Sequence, residues 1–197
     1  MNFAHEFRRE IAQPSPWNLA AMAGRFIEIS TSANAAALTL AFGLVREAQK
    51  QDEPVGWVTS TDSFFYPPDA AKGGVDLAAL VVIRVRHGAV IPNAGEKLLR
   101  SGGFGLVVID LGTTDIPTPL QSRLTGLAQH HHTALVCLTE KESGTFSLGS
   151  LVSLRAHAER QWSSANRFTC RLRILKDKRR GPTWSYEEFC RGPAGLC

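Results

Sequence analysis

Residues 25–41, RFIEISTSANAAALTLA, contain a short apolar run (Phe26, Ile27, Ile29), a cluster of small polar residues and an Ala/Leu-rich stretch with helical spacing. Strand, tight turn and helix is a frame in which proteins grip phosphate, because a helix N-terminus presents unpaired N–H groups to an anion. A working phosphate loop, G-x-x-x-x-G-K-[ST], adds three things. Glycines let the backbone approach, a lysine neutralises charge, and a hydroxyl holds Mg²⁺. Aligned on that pattern, Thr31 and Ala36 stand at the glycine positions, Ala37 at the lysine and Leu38 at the hydroxyl. Thr39 comes one residue late and points about 100° further round the helix. All four determinants are missing, so spacing alone describes a strand-to-helix turn.

Other residues invite chemistry and have a simpler reading. Asp110 ends the apolar run GLVVID and could ligate a metal, yet an aspartate at a strand end commonly organises the next turn. Asp62 could form a carboxylate pair with it, but no nucleophile or base accompanies the two. Asp115 in TTDIP reads as a helix-start residue. His130, His131 and His132 are consecutive, so their side chains diverge. A helix C-terminus that favours positive charge accounts for them without a metal. Cys137 lies in an apolar run, and Cys170, Cys190 and Cys197 show no metal or disulfide spacing. Neither catalysis nor a cofactor is expected.

Charge supplies the stronger signal. The chain of 197 residues carries a net +4. From Arg160 onward nine Lys/Arg face three Asp/Glu, so this part holds +6 and residues 1–159 hold −2. Arg171 and Arg173 alternate with Leu172 and Ile174, which places the two cations on one strand face. Lys176, Lys178, Arg179 and Arg180 follow, then Trp184. Arginine and tryptophan are enriched among residues that dominate binding energy, so these seven form a candidate partner-binding surface for something acidic.

These residues must be positioned by elements that the apolar pattern predicts. Strands are expected at 25–30, 55–60, within 77–85, at 105–110 and at 133–139, with helices over 34–50, 93–101 and 119–131. Gly102-Gly103 is a helix stop. Alternation of buried strands with helices implies an α/β fold with a mainly parallel central sheet and helices on both faces. Residues 147–159 and 167–176 alternate with no helix between them, which predicts an antiparallel C-terminal extension. The expected organisation is an N-terminal helical segment at 1–16, a core at 17–176 and a basic tail at 177–197. Phe3 and Phe7 share one face of the first segment. No apolar run spans a bilayer, the first ten residues do not resemble a signal peptide, and a cytoplasmic, reducing setting is expected.

The stretches RFIEIS…LTLA, AAKGGVDLAALVVI, GEKLLRSGGFGLVVID and RLRILKDKRRGP resemble, in order from about residue 24 to 182, those of RecA-type recombinases. That resemblance implies a RecA-like fold in which residues 31–38 are a degenerate Walker A segment and Asp110 is the Walker B acid. Asp62 falls near the place of the family's catalytic glutamate. Only 22 residues (111–132) occupy the place of the first DNA-binding loop, and only nine (140–148) that of the second. With the LKDKRRGP exit and Trp184, this pattern is similar to the ImuA family of SOS-mutagenesis accessory proteins. The resemblance implies a role in damage-induced translesion synthesis. Its partners would be RecA, the polymerase-like protein ImuB and, through it, an error-prone polymerase. The related SulA family, which binds FtsZ and blocks division, is the alternative, and direct DNA contact stays open.

Overall fold

The computed structural model describes residues 15–32, 36–63, 65–164 and 167–191. Phe3, Phe7 and nearly all of the segment 1–16 lie outside the described residues. Eight strands form one sheet: β1 (Phe26–Thr31), β2 (Val55–Ser60), β3 (Leu80–Val85), β4 (Leu106–Gly112), β5 (Ala134–Glu140), β6 (Leu154–Ser164), β7 (Arg167–Asp177) and β8 (Ser185–Arg191). Their spatial order is β3-β2-β4-β5-β1-β6-β7-β8. From β3 to β6 every pairing is parallel; β6–β7 and β7–β8 are antiparallel. Only β7, among the described strands, runs against the rest.

The expected α/β architecture, mainly parallel with an antiparallel C-terminal extension, is therefore present. Two details differ from the sequence reading. The strand β6 starts at Leu154, not in the preceding loop, and pairs parallel with β1 as well as antiparallel with β7. Residues 185–191, placed by sequence in a basic tail, form the eighth strand and pair with β7 from Arg167↔Arg191 to Arg173↔Ser185.

Helices cover both faces of the parallel part. On one side lie α1 (Leu19–Met22), α2 (Ala36–Lys50) and α3 (Pro67–Lys72), and on the other α4 (Ile91–Ser101) and α5 (Thr118–His130). The buried strands are near-continuously apolar because neither of their faces meets water. Phe42, Trp57 and Phe65 form an aromatic cluster on the α2 side, with ring centroids 5.1–5.8 Å apart. The short α3, in a stretch that sequence left irregular, starts at Pro67-Pro68, where missing N–H groups cost nothing. Gly102 ends α4 in the left-handed region, at φ 68°, as the sequence predicts.

A buried ion pair ties the start of β1 to the end of β7. Arg25 Nη2 donates to Asp177 Oδ1 at 2.7 Å, and both side chains are almost fully buried. Burial alone would raise the Asp177 pKa. Donation from the Arg179 N–H, Arg25 and Trp184 Nε1 outweighs it and holds the carboxyl below the usual range.

Close approach of α4 to the sheet rests on Gly95. A Cβ there would lie 2.9 Å from Ile109 Cγ1 and closer still to its Cδ1. Helix propensity alone would favour alanine by about 1 kcal/mol, whereas overpacking a core costs about 1–3 kcal/mol. Gly95→Ala is therefore expected to lower stability by about 1 kcal/mol in urea unfolding, with partial recovery on adding Ile109→Val.

Candidate functional site: the strand-to-helix turn and the strap beside it

The degenerate phosphate turn lies at the C-terminal ends of the parallel strands, where open α/β sheets place ligands. Thr31 closes β1, and its carbonyl accepts from the Lys141 N–H at 3.1 Å. Ala36 and Ala37 are buried in the α2 side of the core, and Leu38 packs against it. The position that would carry the lysine thus faces apolar side chains.

Beyond β1, polar groups brace one another. Ser30 Oγ donates to the Ala156 carbonyl at 3.2 Å and lies 3.1 Å from His157 Nδ1. With its single proton on that carbonyl, Ser30 accepts from Nδ1–H, which leaves His157 Nε2 as an acceptor. Nε2 lies 3.4 Å from Ser32 Oγ, and Ser32 Oγ donates to Glu142 Oε2 at 2.8 Å. A carboxylate therefore stands beside Ser32, just past the end of β1. The acid at the end of β4 is occupied as well: Asp110 Oδ2 accepts from Thr59 Oγ1 at 2.8 Å. Burial pushes the Asp110 carboxyl up, opposed in part by that bond. Asp62 is exposed in the turn after β2. These residues do not fit a nucleoside triphosphate and its metal, since they offer Glu142 in place of a cation and only a hydroxyl-bound Asp110 for Mg²⁺.

The segment 141–153, which joins β5 to β6, is a strap held against the sheet. Glu28, fully buried in β1, accepts from Ser147 Oγ at 2.6 Å and from the Leu148 N–H at 3.0 Å. Gln121 of α5 donates to the Leu148 carbonyl at 2.7 Å. Both polar groups of the Leu148 backbone are thus clamped, and its side chain enters the core under α5. Lys141 Nζ and Arg155 Nε each lie 3.8 Å from Glu28 and balance its charge. The strap occupies the position of the second DNA-binding loop in the resemblance drawn above, and it is tied down at its centre.

The seven basic and aromatic candidates divide into two groups. Arg171 and Arg173 are exposed on one face of β7, as alternation predicts, but acids stand beside them: Arg171 Nε donates to Glu187 at 2.6 Å, and Arg173 Nε lies 3.7 Å from Glu159. The other five lie at the opposite end of the strands from the phosphate turn, because β7 runs against β1. There Lys176 and Lys178 both donate to the Ser150 carbonyl, at 3.3 and 2.7 Å. Arg179 donates to the Ala21 and Ala23 carbonyls at the end of α1. Trp184 is half-buried and donates to Asp177 at 3.0 Å, while Arg180 is exposed.

Further sequence candidates have plain structural places. Asp115 does not start a helix: Pro117 precedes α5, and Asp115 accepts from Lys141 Nζ at 3.3 Å. His130 and His131 end α5, His131 lies against Gly102, and among the described residues no three metal-ligating side chains cluster. Burial raises the thiols of Cys137 and Cys170, and pushes that of Cys190 up to about 12, so none is a ready nucleophile.

The chain is 33% identical over 95 residues to Protein RecA of Fusobacterium nucleatum, covering 48% of this chain and 25% of the relative. It is 29% identical over 142 residues to Protein RecA of Chlorobium chlorochromatii, covering 72% and 35%, respectively. Protein RecA of Chlorobium limicola matches at 32% over 94 residues, 48% and 27%. These matches relate the chain to RecA. The RecA-like chain spans a quarter to about a third of the length of these curated relatives, and no family model matches it. Within the described residues, no helix is long and apolar enough to cross a membrane.

Two outcomes follow from the turn and the strap. Glu28→Gln leaves the buried Arg155 without its counter-charge and Lys141 with Asp115 alone, and the expected loss is about 3 kcal/mol in urea unfolding, with faster hydrogen exchange at the Leu148 amide. For His157, burial is the main cause that lowers its pKa below the ordinary histidine value. A depressed folded pKa means that its contribution is complete above the unfolded pKa of about 6.5 and is lost as pH falls through the folded value. Wild type is therefore expected to lose stability on acidification below about pH 6.5, and His157→Gln to flatten that part of the thermal-unfolding profile.

Proposed function

We propose that this RecA-like chain is a non-catalytic accessory protein of damage-induced translesion synthesis, which acts by binding RecA and an ImuB-type polymerase-like partner. The observation that supports it best is the phosphate turn. A RecA-like frame is kept, while the lysine position is a buried alanine and Glu142 brings negative charge to the place where a triphosphate would sit. Such a frame has surfaces to offer and no nucleotide chemistry to drive. The clamped strap favours a protein partner over DNA, because its backbone is engaged by Glu28 and Gln121.

The contact is assigned to the basic edge at the end of β7, around Lys178, Arg180 and Trp184. Ending the chain at Lys176 would remove Asp177 and β8, so charge reversal is the cleaner test. In Arg180→Glu, Lys178 and Arg179 are spared because they hold the Ser150 and α1 carbonyls. The variant is expected to keep its unfolding midpoint and to bind purified RecA about tenfold more weakly in a titration of labelled chain. Equal affinity in the folded variant removes the basic edge from the contact. Failure of the wild type to bind either RecA or an ImuB-type protein removes the whole reading.

A further inference from the structure

At the foot of the strap, hydrogen-bond donors outnumber acceptors. Arg155, near the start of β6, has a side chain only 10% exposed. Its Nε and Nη2 are buried without a hydrogen-bond partner, and the acid that faces it, Glu28, stands 3.8 Å from Nε, too far to accept. A buried guanidinium in that state carries a desolvation cost that an acceptor would remove. Two further cations converge on the same place. Lys176 lies directly across from Arg155 in the β6–β7 pairing. Lys176 Nζ and Lys178 Nζ both donate to the Ser150 carbonyl, at 3.3 and 2.7 Å, so two ammonium groups share one acceptor. Burial lowers the Lys176 pKa, and the charges of Lys178 and Arg155 lower it further against the opposing pull of Glu28. Lys141 reaches Glu28 as well and has Asp115 beside it. Set against these two acids, the four cations leave two positive charges unbalanced, close to the charge of a phosphate group.

We propose that Arg155, Lys176 and Lys178 form a site for a tetrahedral oxyanion of the phosphate class, at the opposite end of the strands from the phosphate turn. Each ammonium carries three protons and donates one to Ser150, so donors remain for a second acceptor. A phosphate shared with Arg155 gives the buried guanidinium the acceptor it lacks and separates charges that now repel one another. Lys178 is exposed and Lys176 half-buried, so the site opens to solvent on the lysine side. The same chemistry recognises free phosphate and a terminal phosphate ester, and the test separates the two. This inference does not depend on the proposed function.

Inorganic phosphate is titrated into the full chain at constant ionic strength and followed by calorimetry and by the Arg155 Nε–H resonance in heteronuclear NMR. Wild type is expected to bind phosphate saturably, with the Arg155 resonance shifting at the same midpoint. Lys176→Gln/Lys178→Gln keeps an amide donor at both positions, removes both charges and is expected to bind phosphate about tenfold more weakly or worse. Circular dichroism checks its fold, since both lysines hold the strap. If the double variant unfolds, Lys178→Gln alone serves in its place, with an expected loss of about threefold. A terminally phosphorylated dinucleotide that binds more tightly than inorganic phosphate makes the ester the occupant, and one that binds no more tightly makes it the free ion. Absence of saturable binding, an Arg155 resonance that does not move, or an affinity unchanged in the folded variants overturns the proposal.

Discussion

The backbone of Leu148 is held from two directions, and much of the molecule's character depends on that clamp. Its N–H is taken by a carboxylate from the central strand and its carbonyl by an amide from the neighbouring helix. A fully buried carboxylate such as Glu28 is tolerated only when hydrogen bonds and counter-charges satisfy it. The strap supplies both, through Ser147, Leu148 and Lys141. Strap and carboxylate are thus mutually required. A segment of this length between two parallel neighbours of β1 could have projected from the sheet, but here it closes over polar groups that would otherwise lie open.

The same logic governs the turn at the end of β1. A phosphate site needs donors with nothing to do until the ligand arrives. Here Ser30 is already engaged with Ala156 and His157, and Ser32 with Glu142. Asp110 is engaged by Thr59. A network that satisfies itself gains rigidity and has little to offer an anion. At the far edge of the sheet, several cations likewise have internal duties, since Lys176, Lys178 and Arg179 all hold backbone carbonyls. Local net charge in a sequence counts such residues as free surface, and only packing separates the occupied from the available.

Apolar periodicity and turn residues made the parallel strands, three of the five helices and the Gly102 stop legible in advance. The eighth strand was not, because SYEEFCR carries two adjacent carboxylates and no run of apolar residues. Its inner face carries Tyr186 and Cys190 with the charged Glu188 between them. Glu28 was not singled out from the sequence, since nothing local says which distant donors will meet it. His157 lies in RAHAE, where alternation gives a strand but not the serines on β1 that it meets more than a hundred positions earlier. The order of motifs pointed correctly to a RecA-like relationship. The acidic residue brought to the turn from the strap, Glu142, could be found only by folding the chain.

Strand β1 carries a consequence for how the chain reaches this state. It is made early, yet both its neighbours, β5 and β6, lie about 110 to 130 residues further along. Until they emerge, a highly apolar strand has neither edge paired and no sheet to insert into. Closing such long loops before any reward from packing is slow, and an exposed apolar strand is prone to wrong partners meanwhile. The centre of the sheet is therefore completed only once β6 has been made, with just β7 and β8 still to add.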